Sequence, residues 1–336
     1  MAVTLADVAR RSGTSTAVVS YVMNNGPRPV APTTREKVLK AAAELGYRPN
    51  RIARALRSRT SGVVGLILAD ASNPYFAALA RHVERALESH DKLTLTGNAG
   101  YAPDRQQHLV ERFLAAQVDG LIIVSGDGGS DVAAEAEAAG VPSVYVHNAP
   151  AGARTPAVAA DNDAAVHAAV THLREEHALR EIAFLGGPQD TGPVGQRQEA
   201  WRRSAAGSED APRLLRCDYA RASASSLVTD LAAEGRLPRA MLVATDEQAI
   251  GVLAAAFAAG VRVPQDLAVI SLDGSPESAY TAPALTATRQ PLQAMAEHAV
   301  DLLLHRTEGP NAPRADLVVR ASCGCPAGPA PTDPVI

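Results

Sequence analysis

The feature that most constrains this chain is an alternation that begins after residue 61. Short apolar runs at 63–68, 93–95, 120–124, 143–146, 181–185, 240–244 and 268–272 take turns with helical patterns such as 75–89, 105–116 and 132–139. Strands separated by helices pair in parallel and are covered by those helices, so the pattern predicts parallel sheets wrapped by helices. With 46% hydrophobic and 20% charged residues, the 336-residue chain carries enough apolar material for such a core. That balance excludes a disordered chain, and at roughly 100–200 residues per domain the length predicts about two domains with a small appendage.

Several chemistries lack their motifs. There is no Gly-rich phosphate loop at a strand-helix junction, the nearest approach being Gly126-Asp127-Gly128-Gly129, and no G-x-S-x-G nucleophile turn. His167, His172 and His177 are spaced five apart, which on a continuous helix puts them on different faces. Cys217, Cys323 and Cys325 fit neither a disulfide framework nor a metal spacing, because Cys-x-Cys alone supplies too few ligands. No catalytic residue, metal or cofactor is therefore expected. No run approaches the ~20 apolar residues that span a bilayer, and Met1-Ala2-Val3-Thr4-Leu5-Ala6-Asp7 does not read as a basic and then apolar leader, so the expected location is the cytoplasm.

Charge is uneven. Residues 1–60 hold eleven Lys/Arg against three acids, a local +8 that leaves −12 for the remainder. A basic module on an acidic body is the footprint of a polyanion partner. The module reads as three short helices. Thr4 and Asp7 are spaced as a capping box, Gly13-Thr14 breaks the first helix, and Ser15 caps a second whose Val18, Val19 and Val22 form a buried stripe. The third starts at Thr33 or Thr34 and ends at Gly46. In a helix-turn-helix the second helix enters the major groove, which would bring Thr16, Ala17, Ser20, Tyr21 and Asn24 to base edges, although generic helix pairs show the same spacing.

Val3-Thr4-Leu5-Ala6-Asp7-Val8-Ala9, Gly13, Ser15, Val19-Ser20, Asn24, Thr34-Arg35-Glu36-Lys37-Val38 and Leu45-Gly46-Tyr47-Arg48-Pro49-Asn50 form a dense, ordered pattern. It continues through Ala53-Arg54-Ala55-Leu56-Arg57, Val63-Val64-Gly65-Leu66-Ile67, Asn73-Pro74-Tyr75-Phe76 and Thr286-Ala287-Thr288-Arg289-Gln290-Pro291. In this the sequence resembles the LacI/GalR family of bacterial transcriptional regulators over nearly its whole length. The resemblance implies an all-α helix-turn-helix headpiece at 1–48, a hinge helix at 49–60, and an α/β periplasmic-binding-protein-like core at 61–325. The core is expected as one parallel-sheet subdomain at about 61–158 plus 289–320 and another at about 159–288, with a Pro-rich tail at 326–336. Residues 50–57 make about two helical turns, too few to be stable alone, and the family orders this segment on DNA with a leucine, here Leu56 beside Ala53, wedged into the minor groove. Leu5, Ser15, Thr34, Tyr47 and Asn50 complete the expected DNA contacts.

The resemblance also implies a homodimer on a pseudo-palindromic operator, acting as a repressor under control of a small molecule held between the subdomains. Tyr75, Phe76, His147, Asn148, Arg197, Asp246, Asp273 and Gln290 are its expected contacts, Tyr75 and Phe76 being equally able to serve as core. Some positions depart from the family: Tyr21 stands where most members have arginine, His147-Asn148 where many read Asp-Arg, Gly274 in place of an acid, and Ala200 in place of glycine. These changes shift the expected ligand away from a simple hexose, within a sugar or nucleoside class. Two rivals stand beside this reading: a sugar-binding protein for transport, which shares the core but should carry a leader and no basic headpiece, and an intracellular enzyme on an α/β scaffold, which turnover would expose.

Overall fold

A computed structural model of the protein describes residues 3–23, 28–48, 60–124, 131–205, 213–305 and 312–326. Asn24, Asn50, Ala53, Leu56, most of the 49–60 hinge, the Gly126-Gly128 loop and 327–336 of the tail lie outside the described residues. The chain divides into two compact units, Met1–Ser61 and Gly62–Ile336.

The first unit holds α1 (Leu5–Ser12), α2 (Thr16–Met23) and α3 (Pro32–Leu45). The capping box forms: the Asp7 carboxylate accepts from the Thr4 N–H at 2.9 Å, and Thr4 Oγ1 accepts from the Asp7 N–H at 3.3 Å. Ser15 Oγ accepts the Val18 N–H at 3.3 Å at the entry to α2. The third helix starts at Pro32 rather than at Thr33 or Thr34, and no side chain caps it; proline occupies a first-turn position where its missing N–H costs nothing. Val8, Val19, Val22, Val38 and Ala41 are buried between the three helices, with Leu5 and Tyr47 packed partly against them.

The second unit contains two sheets. In the first, β1 (Val63–Leu68), β2 (Leu93–Asn98), β3 (Gly120–Ile123), β4 (Ser143–Val146) and β5 (Ala157–Val158) run in the order β2-β1-β3-β4-β5, all parallel. The connecting helices are α4 (Pro74–Glu88), α5 (Pro103–Ala115) and α6 (Val132–Ala138). The second sheet has the order β11-β10-β9-β8-β6-β7, built from β6 (Ile182–Gly186), β7 (Leu214–Arg216), β8 (Ala240–Val243), β9 (Ala268–Ser271), β10 (Thr286–Arg289) and β11 (Asp316–Val318). Its helices are α7 (Asn162–Glu175), α8 (Gly192–Ala205), α9 (Arg221–Ala233) and α10 (Asp246–Ala258). Only β11 runs antiparallel to its neighbour among the described strands.

The chain passes between the sheets more than once. After β10 it enters α11 (Leu292–His305), whose Met295, Ala299, Val300 and Leu303 join the core over β1 and β4 of the first sheet. It then returns as β11, paired with β10 at Ala287↔Val318 and Thr288↔Leu317. The expected boundary at 320 is therefore corrected: 316–318 belong with the second sheet, because the edge of β10 offers unpaired backbone that β11 satisfies. The turn Ala321–Cys323 follows β11 there. No helix among the described residues is long and apolar enough to cross a membrane.

Candidate functional site

Between the subdomains lies a cleft with about 450 Å³ of empty space, part of it open to solvent. From the first subdomain it is lined by Asn73, Tyr75, Phe76, Tyr101 and His147. Asn73 caps α4, its Oδ1 accepting the Tyr75 N–H at 2.9 Å, and this fixes the two aromatic residues at the start of the helix. The Tyr75 and Phe76 rings meet edge to face at 5.2 Å, and His147 lies 5.1 and 5.4 Å from them. His147 closes β4 in a left-handed conformation, φ 74°. Its Nδ1 is 3.0 Å from the Tyr75 hydroxyl. Burial, aided by the Arg197 charge, lowers the imidazole to about 3, so it is neutral at physiological pH.

The opposite wall is polar. Arg197 on α8 is 1% exposed; its Nη1 donates to Asp273 Oδ1 at 2.8 Å and to the Ala244 carbonyl at 2.6 Å, while Nε donates to Asn162 Oδ1 at 2.9 Å. Asp273 Oδ2 accepts the N–H of Asp246, the first residue of α10, at 3.2 Å. Burial pushes the Asp273 carboxyl up to about 6 against the downward pull of Arg197. Thr245, Val194 and Tyr219 complete this side.

Of the eight expected contacts, Tyr75, Phe76, His147, Arg197 and Asp273 meet in this cleft. Asn148 lines a neighbouring, larger opening with Asp161, Asn162 and Asp190. Two residues face elsewhere. The Asp246 carboxylate accepts from the Ser271 hydroxyl, from the Gly274 N–H at 3.3 Å, and from the N–H and hydroxyl of Ser275, each at 2.6 Å. It clamps the loop after β9. Gln290 donates to the Leu272 carbonyl at 3.0 Å and fastens the crossover to the same strand end. The glycine at 274 is required by that loop: φ is +64°, and a Cβ would come 2.4 Å from Arg289 Cα.

Sequence reasoning missed Tyr101, Tyr219 and Thr245. Tyr101 stands just beyond β2, its ring 6.2 Å from Phe76, so an aromatic at a strand carboxyl end was the available signal. On the headpiece, Thr16 and Ala17 are exposed, Ser20, Tyr21 and Thr34 half-buried. Arg28, also unforeseen, holds its guanidinium 5.9 Å from the Tyr21 ring centre.

Comparison with known proteins decides the family. Residues 4–50 match the family described as bacterial regulatory proteins, lacI family, and residues 170–323 match a periplasmic binding protein-like domain. Catabolite control protein A of Priestia megaterium is 34% identical over 90% of this chain and 92% of its own. The chain belongs to the lacI family of bacterial regulatory proteins. This lacI-family member is a DNA-binding transcriptional regulator, as its relatives are, and not an enzyme. Among solved structures, a lac repressor dimer bound to operator and the anti-inducer ONPF is 26% identical with a TM-score of 0.83, covering 96% of this chain and 99% of that one. A complex of the transcriptional regulator CelR with cellobiose is 28% identical with a TM-score of 0.68, covering 95% and 99%.

Proposed function

We propose that the protein is a homodimeric repressor whose affinity for a pseudo-palindromic operator is set by a small neutral polyol, a carbohydrate or nucleoside, held in the cleft. The observation that carries this reading is the facing of an aromatic wall, Tyr75, Phe76, Tyr101 and His147, against the buried Arg197–Asp273 pair. Aromatic faces suit the C–H faces of a sugar ring or a base. The guanidinium and carboxylate offer donors and acceptors to hydroxyls. Asp273 already neutralises Arg197, so a carboxylate or phosphate effector would have to displace it. A neutral ligand meets no such competition. The lac repressor structure, a dimer bound to operator, and the CelR structure, a complex with cellobiose, support the same reading by likeness.

On the headpiece the proposal assigns base contact to Ser15, Thr16, Ala17, Ser20, Tyr21 and Asn24, with support from Leu5, Thr34, Tyr47 and Asn50, and a minor-groove wedge to Ala53 and Leu56. Arg28 stacked on Tyr21 brings a cation to the place where most of the family has arginine. The test is selection of genomic fragments by the purified protein at near-physiological salt, followed by displacement with neutral sugars and nucleosides. A short palindrome released by one neutral polyol is the expected result; retention without sequence preference that vanishes with salt would refute it. Tyr21→Arg should shift the selected sequence at one base pair by about 1–3 kcal/mol of preference.

A further inference from the structure

Away from the cleft, four side chains converge on one point of the second subdomain. His172 lies in the last turn of α7. His177 follows just beyond the helix cap Glu176, and Ala178 takes a left-handed turn, φ 51°. The helical spacing that would separate the two rings therefore ends before His177 is reached. Cys323 ends the turn after β11, and Cys325 follows one residue later.

The distances are those of a coordination shell. His172 Nε2 is 3.2 Å from His177 Nε2, 3.3 Å from Cys323 Sγ and 3.6 Å from Cys325 Sγ, and Cys325 Sγ is 3.4 Å from His177 Nε2. All four ligand atoms lie within 4.8 Å of one another. A tetrahedron with metal–nitrogen bonds of ~2.0–2.1 Å and metal–sulfur bonds of ~2.3 Å has edges of roughly 3.3–3.8 Å. Hydrogen bonding alone does not account for the cluster. One imidazole nitrogen carries either a proton or a lone pair, yet His172 Nε2 faces three groups.

The surroundings are built for the same arrangement. Thr286 Oγ1 is 2.9 Å from the Arg320 carbonyl and 3.1 Å from Cys323 Sγ, so its one proton can turn to the sulfur when that is a thiolate. Gly324 sits at φ +118°, and a Cβ there would come 3.0 Å from two atoms of the His177 ring. Only glycine between the cysteines lets the imidazole approach. Cys323 is 1% exposed and the other three are half-buried, so one ligand is enclosed and three stand between it and solvent.

We propose that His172, His177, Cys323 and Cys325 form a tetrahedral two-nitrogen, two-sulfur site for a divalent transition metal, zinc(II) by its ligand set. The metal clips the returning segment after β11 onto the end of α7, joining residues about 150 apart in sequence. Binding requires both thiols to release their protons, and its free energy adds to that of the folded second subdomain.

The experiment uses tag-free, full-length protein kept reduced, with metal measured by mass spectrometry and cobalt(II) substituted for optical spectra. About one zinc per chain is expected, with sulfur-to-cobalt charge transfer and tetrahedral ligand-field bands. Cys325→Ser and His177→Gln should each lose the metal and the bands, whereas Cys217→Ser, at a thiol outside the cluster, should keep both. A chelator should lower the melting temperature of the wild type and leave Cys325→Ser unmoved. Background metal after zinc reconstitution, equal metal in wild type and Cys325→Ser, or a Cys323–Cys325 disulfide in a protein that takes up no zinc when reduced would each overturn the proposal.

Discussion

The two walls of the cleft solve different problems with different chemistry. The first-subdomain wall is aromatic and neutral, its rings held by edge contacts and by the Tyr75–His147 hydrogen bond. The second-subdomain wall centres on a buried ion pair, and Arg197 is fixed by three partners before any ligand arrives. Contact area on one side tolerates change, whereas orientation on the other depends on every bond in a network. Losses should therefore be graded on the aromatic wall and abrupt on the polar one.

The largest effect is expected from Arg197→Ala. Leaving Asp273 buried without its countercharge should cost about 3–5 kcal/mol of stability, measured by denaturant unfolding, and should abolish effector response. The double variant Arg197→Met with Asp273→Leu should recover most of the stability and none of the response. Equal loss in both would mean the pair is purely structural. Asp246→Ala should cost less, about 1–3 kcal/mol, since it strips acceptors from Ser271 and Ser275. It should weaken effector binding only through movement of the loop that carries Asp273, so intact operator binding with a raised effector Kd is the expected outcome in titration.

Smaller still, Tyr75→Phe removes one hydroxyl and should cost about 1 kcal/mol, while Phe76→Leu should weaken the effector by about tenfold, or ~1.4 kcal/mol, without unfolding the core. If Phe76→Leu proved as damaging as Arg197→Ala, the contrast between the walls would fail. The finest distinction is in pH. The Asp273 carboxyl, raised in the folded state to about 6, favours folding increasingly as pH falls through that value towards 3.8. His147, held neutral down to about 3, has the opposite sign: its contribution is present above 6.5 and is lost as pH falls towards 3. Stability profiles of Asp273→Asn and His147→Gln should therefore depart from wild type in opposite directions between pH 6.5 and 4, while effector affinity falls as Asp273 takes up its proton.

Local patterns were legible in the sequence and tertiary ones were not. The predicted run 63–68 is β1 to the residue, and Thr4 with Asp7 forms the box that their spacing implied, because both depend on neighbours along the chain. The expected roles of Asp246 and Gln290 rest on the family resemblance and on position by a strand. Their side chains are instead engaged by Ser271, Ser275 and Leu272, and no periodicity announces which of two directions a carboxylate will face. The histidines misled for a related reason: a five-residue spacing has meaning only while the helix lasts, and α7 ends at Glu175. Their cysteine partners lie about 150 residues away, beyond any motif.

The interleaving of the two sheets bears on how the protein is made. The Ser322 hydroxyl donates to the Val269 carbonyl at 2.6 Å and accepts the Thr286 N–H at 2.8 Å, so β9 and β10 are unfinished until 316–323 leave the ribosome. The first sheet waits likewise for α11. The headpiece is contiguous and can fold as soon as it emerges, whereas neither half of the core can close early. A ribosome stalled after residue 260 would display a DNA-reading module on an unclosed body, and release of the nascent chain there would yield a species open to proteolysis in the core before the headpiece.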